Sequence, residues 1–354
     1  MKKKIMSLVL AAALTVSVVL TGCGSKETSA NADAGELNLF IWTEYVPDSV
    51  FDKFTEETGI KVNVTTFSSN EDMLAKVKSE APGAYDIIQP SDYMVSQLIA
   101  QDMLAELDKD ALTNLSNIGE EYLDPVYDPG NVYSVPYQGG VAAIAVNTDK
   151  VDVEITSYDD LFDPALANSI VLLDDFRAII GMTARSMGYS MNETDPAKLA
   201  EIKEKLLTLK SNVKLYDSDS PKSALISGDC SVGMIWNAEI ALSMAENSNI
   251  EVVFPKEGPY VFMDNWCITK ESPNYDNAMK FINFMMDPEV VQMVLAEFPY
   301  LNPNKTAVEA MGEEYSGNPA KNPPAEVIAS GEYVENLDVD TLAVYDEMWT
   351  ELKK

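Results

Sequence analysis

The chain has 354 residues, 46% hydrophobic and 23% charged, enough apolar material for about two ordinary domains and too much for a disordered chain. Its 25 Lys and Arg against 57 Asp and Glu give a net charge of −32, a field that repels nucleic acid and anionic lipid and concentrates cations. There is no histidine, so the commonest general base and the commonest transition-metal ligand are both missing, and no enzyme, cofactor or metal centre is expected.

Lys2, Lys3 and Lys4 precede an apolar run over 5–20, followed by Gly22 and Cys23. These are the charged, apolar and small-residue parts of a secretory signal, and the run is too short for a membrane span. The four residues "LTGC" resemble the bacterial lipobox, which implies removal of residues 1–22 and diacylation of Cys23. Residues 23–36 are small, polar and without periodicity, as a flexible tether should be. Of the other cysteines, Cys230 and Cys267 each sit in a strand-like apolar context, where a disulfide and two free thiols are equally ordinary.

"ELNLFIW" reads as a strand, 49–58 as a helix, "IKVNVTTF" as a strand with period-two alternation, 70–80 as a helix and "YDIIQPS" as a short buried strand. That order implies a parallel sheet with helices on both faces. In "YSVPYQGGVAAIAVN", Gly139 and Gly140 offer a flexible joint between two apolar strands. A second α/β run follows through "SIVLLDD", a helix over 196–209, "CSVGMIW" and "IEVVFP", and "GPYVFMDNWCIT" then leads back to a helix over 274–286. The expectation is an α/β protein of two lobes, 37–140 plus 263–309 and 141–262 plus 310–354, hinged about a cleft. At the carboxyl end of the first strand stand Trp42, Thr43, Glu44 and Tyr45, where open α/β folds bind ligands.

"WTEYVPDSVFDKFTEETGIKV", "GAYDIIQPSDYMV", "YSVPY", "VLLDDFRA", "GMIWN", "FPKEGPYVFMD" and "FPYLNPN" together resemble the spermidine/putrescine receptors of bacterial ABC importers, in order over about 37–333. The resemblance implies a bilobal receptor of the second periplasmic-binding type. Such a receptor closes as a monomer on one polyamine and hands it to permease subunits, lipid-anchored outside the cell. It assigns Trp42, Thr43, Glu44, Tyr45, Ser91 and Tyr93 to one lobe, Trp236, Phe262, Asp264 and Tyr300 to the remaining walls, and Asp175 to the opposite lobe as a carboxylate. The chemistry agrees, because a polyamine needs carboxylates at intervals with aromatic walls between them, each well-placed ring adding roughly 0.5–2 kcal/mol by cation–π attraction. Asp264 and Asp175 are assigned to ammonium groups and Asp174 to the cap of the following helix. Departures from the pattern are Ala178 in place of an acid, Phe262 in place of a tryptophan and Val334 in place of a glutamine, while Glu239 adds an acid as in the putrescine receptors. Glu239 either serves an ammonium from the cleft or faces solvent. A receptor of this fold for a sugar or an amino acid is the alternative, although an amino acid would need a cation and only Arg177 is near. An exported enzyme lacks any nucleophile motif.

Overall fold

Strand β1 (Glu36–Trp42) buries Leu37, Leu39, Phe40 and Ile41, and pairs in parallel with β2 (Lys61–Phe67) and β3 (Ile87–Ile88). This computed structural model describes residues 34–354; the signal segment and Cys23 lie outside them. The connecting helices Asp48–Thr58 and Asn70–Ser79 fall within a residue of the ranges read from the periodicity. Each ends where its chemistry stops it. Gly59 closes the first at φ 75°, donating its N–H to Thr55 O at 2.8 Å in a conformation that costs a side chain energy. Ser69 caps the second by accepting from Asp72 N.

The second half repeats the arrangement with β5 (Ile170–Leu172), β6 (Val213–Tyr216) and β7 (Val232–Trp236), where β5 pairs in parallel with both neighbours. Its helix Pro196–Leu209 has the expected limits, capped by Asp195 with a proline at the first turn. Two long strands run between the halves: β4 (Ser134–Asn147) and β9 (Tyr260–Ile268), antiparallel to each other from Ser134↔Cys267 to Ala142↔Tyr260. Beyond that register β4 turns to β7 and to β8 (Ile250–Val253), while the far end of β9 pairs with β3. The sheet is thus mixed, in the order β2-β1-β3-β9-β4-β7-β5-β6, with β8 on β4 and β10 (Glu332–Tyr333) on β9.

Two expectations are corrected here. Gly139 and Gly140 lie within one continuous 14-residue strand and are not a flexible joint. They are glycines because of close approach: a Cβ at Gly139 would stand 2.6 Å from Phe262 O, and one at Gly140 2.0 Å from Asn237 Oδ1. Buried Asn237 accepts from Val141 N at 2.9 Å and donates to Ala320 O at 2.8 Å, fastening the crossing. The last return of the chain to the second half also comes later than 310. Tyr315 packs with Val291, Leu295 and Ala307 of the first half and donates to Tyr300 O. Only then does the chain reach Ala320, β10 and the helix Val339–Lys353, which packs on the helix Phe176–Arg185. Cys230 and Cys267 are free and buried. Among the described residues no helix is long and apolar enough to cross a membrane.

Candidate functional site

The residues that leave the carboxyl ends of the parallel strands in the two halves line a shared cleft. From the first half come Trp42 at the end of β1, Ser68 after β2 and Ser91 after β3. From the second come Asp175 after β5, Ser218 and Asp219 after β6 and Trp236 at the end of β7. Tyr260, Phe262 and Asp264 project from the crossing strand β9. Ligands bind at such strand ends because the loops there are free of the sheet's hydrogen bonds.

Asp264, only 4% exposed, is the most constrained acid in the cleft. Its Oδ2 accepts from Tyr45 OH at 2.7 Å and its Oδ1 from Ser91 Oγ at 2.5 Å. Ser91 is itself oriented by Asn70, which donates from Nδ2 to Ser91 Oγ at 3.0 Å and accepts from Ser91 N at 3.1 Å. Burial pushes the Asp264 carboxyl up to about 7, with Ser91, Tyr45 and the nearby Trp42 indole opposing the shift by favouring the charged form. The indole Nε1 of Trp42 is buried and completes no hydrogen bond among the described residues. Behind Asp264, Asp92 is pushed up to about 8 by burial, against the hydrogen bonds it receives from Tyr93 N at 2.6 Å and Met263 N at 3.0 Å.

Aromatic rings stand edge to face around this acid. Trp236 lies 5.0 Å from Phe262 and 5.9 Å from Tyr260 between ring centroids, Phe262 lies 6.2 Å from Tyr300, and Tyr45 lies 5.1 Å from Tyr300. Rings set at steep angles to one another hold each other in place and present faces to a guest.

Of the residues assigned from sequence, Trp42, Thr43, Glu44, Tyr45, Ser91, Asp175, Trp236, Phe262, Asp264 and Tyr300 line the cleft. Tyr93 and Glu239 do not. Tyr93 rides on the helix Asp92–Ala100 with its hydroxyl donated to Glu71 Oε1 at 2.9 Å and its ring 5.7 Å from the Arg177 guanidinium. It faces a separate cavity shared with Tyr127 and Tyr333. Glu239 is buried and is not among the residues that line the open cleft. It is 3% exposed and accepts from Lys222 Nζ with both oxygens, at 3.1 Å each. The cap assignment is also reversed: Asp175 Oδ1 accepts from Ala178 N at 3.0 Å and begins the helix Phe176–Arg185, while Asp174 is half-exposed and pairs with Lys353 Nζ at 2.5 Å. Asp175 therefore both caps a helix and faces the cleft, where burial raises its pKa against the opposing pull of the Ala178 N–H and of Arg177. Residues that the motifs missed are Ser68, Asn70, Ser218, Asp219 and Tyr260. The rule of strand carboxyl ends would have found Ser68, Ser218 and Asp219.

Among the lining residues four are acids, Glu44, Asp175, Asp219 and Asp264, and none is basic. Such a lining favours a cation, and the rings between the acids suit methylene segments.

The bacterial extracellular solute-binding protein family matches residues 49–324. A spermidine/putrescine-binding periplasmic protein of Salmonella typhimurium is 39% identical over 323 residues, covering 91% of this chain and 92% of the relative. Among solved structures, a spermidine/putrescine ABC transporter substrate-binding protein of Streptococcus pneumoniae superposes with a TM-score of 0.77 at 34% identity, covering 90% of this chain and 98% of that one. A lipoprotein of Treponema pallidum gives a TM-score of 0.78 at 28% identity, covering 90% and 99%. The folded chain, its cleft of strand ends and these likenesses agree, and the chain belongs to the bacterial extracellular solute-binding protein family.

Proposed function

We propose that this protein captures a polyamine, spermidine or putrescine or both, outside the cell and delivers it to an ABC-type permease. The observation that carries this reading is the lining of the cleft, in which four carboxylates from both halves stand among aromatic rings and no basic residue is present. A guest with several ammonium groups then meets acids from both halves at once, which favours the closed arrangement when the guest is bound. The ligands named for the relatives support the same reading. Within the cleft, Asp264 and Asp175 hold ammonium groups, and Trp42, Trp236, Phe262 and Tyr300 flank the methylene segments. Calorimetric titration with spermidine, putrescine, a neutral sugar and arginine tests it. Saturable heat from at least one polyamine and none from the sugar is expected, and binding of the sugar or arginine alone would refute the reading.

The protein is held at the membrane by a lipid on Cys23, a reading supported by the position of "LTGC" directly after the apolar run and by the polar stretch that follows. Cys23→Ser should move the protein from the membrane fraction to the soluble fraction and abolish incorporation of labelled fatty acid. Retention of the variant in the membrane, with an unlabelled wild type, counts against it.

A further inference from the structure

Lys222 opens the helix Lys222–Ile226, directly after the turn that carries Ser218 and Asp219 into the cleft. Its Nζ donates to Glu44 Oε2 at 2.6 Å, to both oxygens of Glu239 at 3.1 Å and to Ser220 Oγ at 3.1 Å. Glu44 belongs to the first half, 178 residues away in sequence, and it lines the cleft with a backbone φ of 48° that few residues other than glycine adopt. Glu239 is in the second half, on the helix Asn237–Glu246, three residues beyond the cleft ring Trp236. Two carboxylates and a hydroxyl converging on one ammonium form the donor set that a primary amine of a ligand would seek. Here the amine is covalently part of the chain.

We propose that Lys222 acts as a tethered ligand: its ammonium fills an ammonium subsite formed by Glu44, Glu239 and Ser220 at one end of the cleft, and so sets the length of the amine that the cleft accepts. What amine the cleft takes rests on the polyamine reading above; the filling of the subsite does not. The lysine satisfies acids that would otherwise reward a longer guest, and any guest reaching this end would have to leave an ammonium unmatched beside Lys222. Glu239 therefore adds no acid to the ligand site. Burial raises its carboxyl to about 6 despite Lys222, so that with the lysine removed the site is left with a strong demand for a replacement cation.

The test replaces the tethered amine with a free one. Lys222→Ala should melt at a lower temperature than wild type. Methylammonium chloride should restore most of the loss where equal potassium chloride does not, while the wild type responds to neither. Should Lys222→Ala fold only when methylammonium is present, the subsite is likewise supported. Failure in both salts, or equal response to both, overturns the proposal. Lys222→Ala/Glu239→Gln, which leaves no buried carboxylate bare, must fold without added amine and lose the methylammonium response; a response that survives overturns it too. Across diamines of four to eight carbons, Lys222→Ala should shift the preference toward longer chains by about tenfold or more, each decade being roughly 1.4 kcal/mol. An unshifted preference is contrary to the proposal. Methylammonium rescue in a protein whose wild type binds no polyamine would leave the subsite standing and remove the polyamine reading instead.

Discussion

Asp264→Asn should weaken polyamine binding by two decades or more while leaving the protein folded. The carboxylate is 4% exposed, held from both sides by Tyr45 and Ser91, and set in a ring of aromatic side chains that exclude water. An ammonium that enters this place gives up its hydration, and only a charge of opposite sign returns what is lost. Breaking one side of a buried pair costs on the order of 3–5 kcal/mol, because the remaining charge is left uncompensated, and each 1.4 kcal/mol or so is a decade in Kd. Asparagine keeps the size of the side chain and can still accept at its one oxygen, so the loss is electrostatic and the neighbours are little disturbed. Asp174→Asn is the matched control. It removes a half-exposed pair with Lys353, of a kind worth roughly 0–1 kcal/mol, and should change neither affinity nor stability appreciably. Asp175→Ala should do both kinds of damage, since the same carboxylate caps the helix Phe176–Arg185 and faces the cleft. Calorimetry and thermal melts on the three variants check the set. Near wild-type affinity in Asp264→Asn would remove Asp264 from the ammonium site.

The neighbouring aspartates show how far the sequence could be read. "LLDD" announces a strand end followed by a helix, and either acid suits a cap. Which one serves depends on where the helix starts, and one residue of phase exchanges a surface ion pair for a place in the cleft. The elements themselves were legible because their cause is local: apolar spacing marked the helices and alternation the strands, and the structure adds the caps Ser69 and Asp195 at two helix starts. Most of the cleft was legible too, Trp42 to Tyr45 from their place at the carboxyl end of β1 and the remaining residues through the resemblance of the motifs that carry them. What was not legible depends on partners far along the chain. Tyr93 sits at a strand end by sequence, yet its place on the first turn of a helix aims it at Glu71 and Arg177. Glu239 was weighed between ligand and solvent, and the third possibility, a lysine held jointly with Glu44, has no signature in any short motif. Gly139 and Gly140 signalled that backbone comes close to something, and a flexible joint is only one of the reasons for that.

Polyamine affinity should rise with pH from 5 to about 7 and then level off, although aliphatic ammonium groups stay protonated throughout this range with pKa values of about 10. The change belongs to the protein. In the empty cleft, burial pushes Asp264 up to about 7 and Asp92 behind it up to about 8, so both hold a proton over much of the acidic range. An ammonium beside Asp264 favours the ionised form, and binding below pH 7 must expel that proton. Each unit below the pKa then costs about tenfold in affinity, or roughly 1.4 kcal/mol, so Kd at pH 5.5 should exceed that at pH 8 by roughly thirtyfold from Asp264 alone. Stability of the empty protein runs the other way. A carboxyl whose folded pKa lies above its unfolded value, here about 7 against 3.8, binds more protons folded than unfolded between those values. Its contribution is fully present below pH 4 and is lost as pH rises through 7. Asp92 and Glu239, both raised, act in the same direction. The ligand-free melting temperature should accordingly gain from these groups toward lower pH, and added polyamine should stabilise most at pH 7 and above. Titrations in buffers of different ionisation enthalpy should register proton release on binding at pH 6 and almost none at pH 8.5. In Asp264→Asn the residual affinity should lose most of its pH dependence between 5.5 and 7. A wild-type Kd that is flat over this interval would mean that Asp264 is already ionised in the empty cleft, its charge carried by Tyr45, Ser91 and Trp42 before any ligand arrives.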